Sequence, residues 1–196
     1  MTPLSDRLLD SVAAEAVRDG LADALFTRVE SPLGRLLVVT GADGAVVRVG
    51  FEEDPEDRVL AGVAAGLGPR VLQGRRELSE VAEAIQAYLE GERTADLELP
   101  YDLRLVAQPF RRAVLEALGR DVPRGATIRY GELAARAGNP RAARAAGTAC
   151  ATNPLPIIGP CHRVLPAGGG VGSYGGGVPR KLALLELEGA LPPRSI

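Results

Sequence analysis

Residues 153–164 have the sequence NPLPIIGPCHRV, and its most informative part is Pro160-Cys161-His162-Arg163. These four residues include one of the two cysteines of the 196-residue chain and its only histidine. A thiol is nucleophilic as the thiolate, and an imidazole can accept its proton near neutral pH. Cysteine chemistry that needs a histidine partner must therefore use His162 in this protein.

Each of the two side chains also fits a structural role, Cys161 as a small buried residue and His162 as a hydrogen-bonded core histidine. Their adjacency favours a shared chemical role. Because neighbouring Cβ atoms point in different directions, we expect the thiol and the imidazole to communicate through one water molecule or a shared buried site. A histidine base also needs a carboxylate that fixes its tautomer, and Glu186 and Glu188 are the candidates near the C-terminus.

The residues around this stretch predict several helices and one glycine-rich loop. Residues 131–137 and 141–151 are expected to form two short helices around Gly138-Asn139-Pro140, a pattern typical of a helix-turn-helix. Many such helix pairs bind no nucleic acid, so the pattern alone leaves that function open. Further helices are predicted over 109–119 and 180–188, with the glycine-rich loop over 166–179.

The first half of the chain predicts a mixed α/β domain. An amphipathic helix is expected over residues 5–25, followed by a three-stranded meander with a hairpin signal at Asp43-Gly44. The strands are predicted over 26–29, 36–40 and 46–49, and two further helices over 55–66 and 76–90. A polar stretch from Gly91 to Tyr101 predicts the domain boundary. The expected divisions are an N-terminal helical extension at 1–24, an α/β domain at 25–100 and a second domain at 104–190.

Composition predicts a globular, cytoplasmic protein. Apolar residues make up 46% of the chain and charged residues 24%. No apolar run is long enough to cross a bilayer, and the N-terminus lacks the basic start of a signal peptide. Two cysteines make no disulfide framework, and with one histidine they are too few for a structural zinc site. We therefore predict no metal and no cofactor.

Charge is unevenly distributed along the chain. Residues 1–100 contain 10 basic and 19 acidic residues, a balance of −9, whereas residues 101–196 contain 13 and 6, a balance of +7. A basic half indicates that the C-terminal region faces a polyanion. The alternative is chance segregation of solvated charges.

Residues 153–164 resemble the active-site signature of the O6-alkylguanine-DNA alkyltransferases, the methylated-DNA–protein-cysteine methyltransferases. Three further segments are similar to the same family. Residues 130–145 resemble its helix-turn-helix, residues 172–177 its active-site loop, and residues 184–189 its closing helix. The resemblance is specific over residues 105–190 and weaker over residues 25–100.

The resemblance implies an N-terminal α/β domain with a small antiparallel, ribonuclease H-like sheet, followed by a mostly helical winged helix-turn-helix domain. It implies a monomeric DNA repair protein that flips O6-alkylguanine, with O4-alkylthymine as a second candidate, out of double-stranded DNA. By resemblance, Cys161 is the one-use alkyl acceptor, His162 the water-mediated base and Glu188 the carboxylate that holds the imidazole. No cofactor, metal or membrane is implied.

The resemblance also assigns roles to residues around the nucleophile. Asn153 matches a residue that braces the turn before the active-site strand, and Tyr130 one that crowds the target phosphate and contacts the flipped guanine. Arg144 matches the arginine that fills the gap left by the base, with Arg141 and Ala145 beside it on the DNA. A solvated helix charge is the structural alternative for Arg144, and a core-edge tyrosine for Tyr130. The implied substrate pocket consists of Tyr174, Val164, Gly175 and Gly176.

Some positions depart from the family pattern. Gly159 stands where a bulky aliphatic residue is usual, which predicts a looser active-site strand. Ala151 and Thr152 stand where relatives often carry a basic residue, which predicts that DNA contact there is either weaker or shifted to Arg141, Arg136 or Arg124. Cys150, on the second helix, is interpreted as a small packing residue and not as a second acceptor.

Two other function classes compete with alkyl transfer. A non-catalytic, alkyltransferase-like protein would keep the helix-turn-helix and the base pocket but lack the cysteine, and Cys161 argues against it. A cysteine hydrolase or acyltransferase would need a freely placed base and an oxyanion hole. A lone histidine adjacent to the nucleophile and a basic helix-turn-helix argue against that second class.

Overall fold

The computed structural model describes residues 3–192, and of these the side chains of residues 3–7 are not described. The chain divides into two compact units. The first consists of the residues up to Glu90 together with Leu97–Leu105, and the second of Gly91–Asp96 together with the residues from Val106 onward. The polar stretch that sequence analysis proposed as a boundary is thus shared, with one short segment belonging to each unit.

A four-stranded mixed sheet forms the centre of the first unit. Three strands, β1 (Ala24–Val29), β2 (Leu36–Gly41) and β3 (Val46–Phe51), pair antiparallel. A fourth strand, β4 (Val71–Gln73), pairs parallel with β1, so the order is β3-β2-β1-β4. The predicted meander and its turn at Asp43-Gly44 are confirmed, since Gly44 has the positive φ of 82° that such a turn requires. The expectation of a wholly antiparallel sheet is wrong at β4, which is too short to show a sequence pattern.

Three helices belong to the first unit, α1 (Pro3–Arg18), α2 (Glu56–Leu67) and α3 (Ser79–Leu89). The prediction that the first helix extends to residue 25 is wrong. Gly20 adopts a left-handed φ of 66°, and the Leu21 N–H donates back to the Ala16 carbonyl at 2.7 Å. This is how a glycine ends a helix, and it frees Ala24 to begin β1.

The sheet is covered by apolar side chains from α2. Val59 and Val63 of α2 pack on a buried set from the strands, Ala24, Phe26, Leu37, Val39 and Val47. Strands rich in β-branched residues suit such a buried surface, because branched side chains pack well on a pleated sheet. The first unit therefore has a core of its own.

The second unit is mostly helical. Its helices are α4 (Pro109–Asp121), α5 (Tyr130–Arg136), α6 (Ala143–Ala151) and α7 (Val178–Leu187), and its strands are β5 (Ile128–Arg129) and β6 (Val164–Leu165). The four helices predicted here are confirmed to within a few residues. The turn between α5 and α6 covers residues 137–142 and is longer than the predicted three residues, since α6 begins only at Ala143.

One short parallel ladder positions the functional site. Ile128 of β5 pairs with Val164 of β6, and Arg129 pairs with Leu165. Tyr130 follows β5 directly, and a 3₁₀ turn formed by Cys161–Arg163 precedes β6 directly. The ladder therefore brings the start of α5 next to the turn that carries the cysteine.

An apolar core joins α4, α5, α6 and both strands of the second unit. It includes buried residues of α4, α5 and α6 together with both cysteines and β6: Val114, Leu118, Leu133, Ala134, Ala146, Ala149, Cys150, Cys161 and Val164. Alanine at the contact face of α6 lets that helix approach α4 and α5 closely. Between residues 3 and 192, no helix is both long enough and apolar enough to cross a membrane.

Candidate active site

Cys161 begins the 3₁₀ turn and is only 4% exposed. The Asn153 amide nitrogen donates to its sulfur at 3.2 Å and to the Gly159 carbonyl at 2.8 Å. The Asn153 amide oxygen accepts from the Leu155 N–H at 3.0 Å. Asn153 thus ties the end of α6 to the turn and to the thiol at once, in the position where sequence analysis expected a brace.

The Cys161 thiol is protonated at neutral pH. Burial raises its pKa to about 11, although the Asn153 hydrogen bond and the positive charge of Lys181 act in the opposite direction. Because only a thiolate is a strong nucleophile, the proton must be removed when a substrate is in place. The site therefore needs a base near the sulfur.

His162 and Glu188 form a buried pair next to this turn. His162 Nε2 lies 2.7 Å from Glu188 Oε1, and both side chains are fully inaccessible to solvent. Glu188 directly follows α7, and it is this residue, not Glu186, whose carboxylate meets the imidazole. The pairing is the one that the family resemblance implied.

The charges of this pair follow from its surroundings. Burial lowers the pKa of His162, and the bond to Glu188 opposes this only in part. Burial alone would raise the pKa of Glu188, but hydrogen bonds from His162 and Arg163 hold it well below its ordinary value. A neutral imidazole whose Nε2–H donates to an ionised carboxylate keeps a free electron pair on Nδ1. Among the described residues, Nδ1 has no hydrogen-bond partner, so the base is free on that side.

Arg163 neutralises the Glu188 carboxylate. Its Nε donates to Glu188 Oε2 at 2.8 Å and its Nη2 to Oε1 at 3.0 Å, a two-point contact of a guanidinium with a carboxylate. Nη2 also donates to Asp96 Oδ1 at 2.6 Å, and Nη1 to the Val122 carbonyl at 2.6 Å. Arg163 is only 3% exposed, so these contacts are what make its burial tolerable.

Lys181, the only lysine of the chain, is completely buried in α7. Its Nζ donates to the Val164 carbonyl at 2.7 Å and to the Ser173 carbonyl at 3.4 Å. The lysine therefore links the residue after the cysteine turn to the glycine-rich loop. Burial lowers its pKa, while the nearby Cys161 and Cys150 act in the opposite direction. A cation at this place favours the thiolate form of Cys161.

A cavity of about 160 Å³ opens onto the cysteine. The residues that line it come from α5, α6, the cysteine turn and the glycine-rich loop: Tyr130, Gly147, Cys150, Ala151, Cys161, Ser173, Tyr174 and Gly175. Of the four predicted pocket residues, Tyr174 and Gly175 line this cavity. Val164 and Gly176 are not among its lining residues. The Val164 carbonyl accepts from Lys181, and the Gly176 carbonyl accepts from Arg180 at 3.0 Å.

Two tyrosines and the second cysteine complete the cavity wall. The Tyr174 ring meets the His162 ring edge to face at a centroid distance of 6.4 Å. Burial raises the pKa of Tyr130, of Tyr174 and, to about 12, of Cys150. All three are therefore protonated at neutral pH.

Some side chains that were predicted to contact DNA are exposed, whereas others are already bonded to groups of the protein. Arg141, Arg144 and Ala145 are exposed, the first in the turn before α6 and the other two on α6. Arg136 is exposed but pairs with Glu132 at 2.6 Å. The suggestion that DNA contact shifts to Arg124 does not fit its geometry, because Arg124 is half-buried and donates to the Leu187 carbonyl at 2.7 Å.

Sequence reasoning assigned no role to three residues that the structure places at the site. Asp96 lies far from Arg163 in the chain and carried no local signal. Lys181 could have been singled out as the only lysine. Arg111 of α4 donates to the Thr152 carbonyl, so a guanidinium approaches the position where the sequence lacks a basic residue.

The fold and the site define a class of protein in which a buried cysteine, backed by a histidine–glutamate pair, opens into a cavity beside a pair of short helices. Residues 109–190 match the family model of the 6-O-methylguanine DNA methyltransferase DNA-binding domain. A methylated-DNA–protein-cysteine methyltransferase of Mycolicibacterium paratuberculosis is 37% identical over 171 residues, which cover 87% of this chain and 96% of that protein. The chain belongs to the methylated-DNA–protein-cysteine methyltransferase family.

Other relatives and solved structures agree with this family assignment. The bifunctional transcriptional activator and DNA repair enzyme Ada of Escherichia coli is 36% identical over 176 residues, 88% of this chain and 46% of Ada. The crystal structure of the Mycobacterium tuberculosis O6-methylguanine methyltransferase matches with a TM-score of 0.71 at 33% identity, covering 88% of this chain and 96% of that one. Mycobacterium tuberculosis OGT in complex with DNA matches with a TM-score of 0.71 at 34% identity, covering 85% and 93%.

Proposed function

We propose that this chain is a DNA repair protein that transfers the alkyl group of O6-alkylguanine, and as a second candidate O4-alkylthymine, irreversibly to its own Cys161. The observation that carries the proposal is the Cys161 sulfur at the wall of a cavity with the buried His162–Glu188 pair next to it. A one-use acceptor needs a thiol that loses its proton when the substrate is bound, and Cys161 next to His162 meets this requirement.

The transfer is a displacement at the alkyl carbon. His162 Nδ1 takes the Cys161 proton through one water molecule, Glu188 stabilises the imidazolium, and Lys181 stabilises the thiolate. The thiolate attacks the methyl carbon in line with the C–O bond, an S–C bond forms, and the C–O electron pair stays on O6 of the guanine. The guanine anion takes back, through water, the proton that His162 accepted from Cys161, so the imidazole is neutral again and the base leaves as guanine. The thioether is stable, so one protein molecule repairs one base.

The alkylated base reaches the cysteine by leaving the duplex, since its O6 is otherwise inside the stack. We propose that Arg144 occupies the gap, with Arg141 and Ala145 against the backbone, and that Tyr130, Tyr174 and Gly175 hold the base. The solved complex of Mycobacterium tuberculosis OGT with DNA supports DNA as the partner, and we propose that the DNA is double-stranded. We further propose a winged helix-turn-helix in the second unit, a ribonuclease H-like first unit, a monomer, and action in the cytoplasm.

Mass spectrometry after incubation with an O6-methylguanine duplex oligonucleotide tests the function. We expect the Cys161 peptide to gain the mass of one CH₂ group in a single stoichiometric turnover, and Cys161→Ser to gain nothing. Cys150→Ser removes the other thiol of the cavity wall, and the CH₂ mass should still be gained on the Cys161 peptide.

The same experiment separates the competing classes. Tight binding to the methylated duplex without a mass gain would sink the proposal and favour a non-catalytic damage-binding protein. Neither binding nor mass gain would favour a cysteine hydrolase or acyltransferase.

A further inference from the structure

Asp96 ends the short segment Gly91–Asp96 that the chain contributes to the second unit ahead of α4. Its Oδ1 accepts from Arg163 Nη2 at 2.6 Å, and its Oδ2 accepts from the Arg124 backbone N–H at 3.0 Å. The family-model match begins only at residue 109, so this carboxylate lies outside the matched segment. Both of its oxygens are nevertheless directed at residues that surround Glu188.

Arg163 connects Asp96 to the histidine pair. The Nε–Nη2 edge of its guanidinium donates to both oxygens of Glu188, at 2.8 and 3.0 Å, and Nη2 also donates to Asp96. The Glu188 oxygen that accepts from Arg163 Nη2 is the same Oε1 that lies 2.7 Å from His162 Nε2. A change in the orientation of the guanidinium therefore changes how Glu188 Oε1 is shared with His162.

The loop that Asp96 holds also contacts the main chain at Glu188. The Arg124 side chain donates to the carbonyl of Leu187 at 2.7 Å, one residue before Glu188. Gly125, with a φ of 78°, lies so close that an added Cβ would be 3.1 Å from the Glu188 carbonyl oxygen. Asp96 is thus connected to Glu188 by two sets of contacts, one through the Arg163 side chain and one through the loop at Arg124 and Gly125.

We infer that Asp96 is a positioning residue for His162, acting through Arg163 and Glu188. An ionised carboxylate on the outer side of Arg163 keeps the guanidinium between two anions and limits its rotation toward Glu188. Without Asp96, Arg163 loses the carboxylate on its outer side and moves onto Glu188, which weakens the bond from His162. The expected effect of Asp96 on alkyl transfer rests on the proposed function. The expected effect of Asp96 on the His162 imidazole does not depend on that function.

The test uses Asp96→Asn, with Asp121→Asn as the matched control. Asp121 is also an aspartate of the second unit in an arginine pair, with Arg120 at 2.7 Å. Because His162 is the only histidine, its imidazole ¹⁵N and Nε2–H signals in the NMR spectrum of the full chain are unambiguous. We expect Asp96→Asn to shift them and Asp121→Asn to leave them unchanged. A His162 spectrum of Asp96→Asn that coincides with that of the unsubstituted protein would overturn the inference.

Single-turnover alkylation supplies the second readout. We expect Asp96→Asn to slow transfer by about fivefold, in the range of substitutions that act through a neighbour, with duplex affinity unchanged. In the His162→Gln background the same substitution should have no further effect, because the residue it positions is gone. Equal slowing in both backgrounds would indicate a general structural role and contradict the inference.

The test still gives an answer if Asp96→Asn does not fold or if the protein transfers no alkyl group. If Asp96→Asn does not fold, Asp96→Glu retains the charge and moves the carboxylate by one methylene, so the same His162 shift is expected from it. If the unsubstituted protein transfers no alkyl group, the proposed function fails, and the NMR comparison still decides whether Asp96 positions the imidazole.

Discussion

At the scale of the residue, the site combines a thiol that is held neutral with a base that is held neutral. Burial raises the pKa of Cys161 to about 11 and lowers the pKa of His162. The charges that alkyl transfer requires therefore form only when the proton moves, and Glu188 and Lys181 are placed to stabilise the resulting imidazolium and thiolate. A buried, protonated thiol reacts slowly with alkylating agents in solution, so Cys161 is protected until a base occupies the cavity.

The buried imidazole predicts a pH dependence of stability. The pKa of His162 is lowered on folding, chiefly by burial, with Arg163 and Lys181 acting in the same direction and Glu188 against it. As pH falls through 6.5, the ordinary value, the unfolded chain takes up a proton that the folded chain does not. The free energy of unfolding should therefore decrease from pH 7.5 to pH 5.5, by at most about 1.4 kcal/mol per pH unit.

Urea unfolding at the two pH values checks this, with His162→Gln as the comparison. The variant should lose this part of the pH dependence, since the chain has no other histidine. Glu188 does not interfere in this range, because its depressed pKa removes stability only as pH falls below its ordinary 4.5. The same loss of stability in both proteins would contradict the assignment.

At the scale of the element, the segment between α6 and the cysteine turn is held by main-chain hydrogen bonds as well as by the Asn153 side chain. Ile157 adopts a φ of 76°, a left-handed conformation that costs a β-branched residue about 1–2 kcal/mol. Gly159 donates to the Leu155 carbonyl at 2.7 Å, and its own carbonyl accepts from Cys161 N–H at 2.7 Å and from Asn153. The position that lacks a bulky side chain is thus closely bonded to its neighbours.

Gly159→Ala tests how closely this segment is packed. An added Cβ would lie 3.2 Å from the Leu155 carbonyl oxygen and 3.3 Å from the Asn153 amide nitrogen. We expect Asn153 to be displaced from the Cys161 sulfur, alkyl transfer to slow, and stability to fall by about 1–2 kcal/mol relative to Gly168→Ala. Gly168 is the matched control, since its added Cβ would meet nothing within 4 Å. Thermal unfolding and single-turnover rates measure both effects, and equal behaviour of the two variants would refute the prediction.

At the scale of the whole molecule, each unit has its own core and the charge is divided along the chain. The C-terminal residues 101–196 carry a balance of +7, against −9 for residues 1–100. Exposed arginines at and before α6 belong to the basic part. Binding to a polyanion through such residues releases counterions and is weakened by salt.

Charge reversal should therefore separate DNA binding from the chemistry at the cysteine. We expect the double variant Arg141→Glu/Arg144→Glu to bind duplex DNA about tenfold or more weakly at low salt, with a smaller salt dependence. Arg58→Glu, on α2 of the first unit, serves as the control and should bind normally. Fluorescence anisotropy over a salt series measures both, and unchanged binding by the double variant would place the DNA elsewhere.

Local sequence was sufficient for much of this protein. The helices of the second unit follow from periodicity and turn residues within a few positions, and the proposed nucleophile and base follow from a chain with one histidine. Prediction from local sequence failed at two places. At Gly20, a left-handed glycine ends α1 earlier than predicted, and at β4 three residues form a strand by pairing with β1. In both cases a single conformation or a distant partner outweighed the local pattern.

The sequence by itself determined which groups are available: one imidazole, two thiols, one lysine and the turn that places Cys161 before His162. Only the tertiary structure decided which of them meet. Glu188 rather than Glu186 reaches His162, Lys181 lies against the Val164 carbonyl, and Asp96 bonds to Arg163 from 67 residues away. The physical reason is that a buried charge is tolerated only beside its partner, and the partner is brought there by packing between elements, not by spacing along the chain.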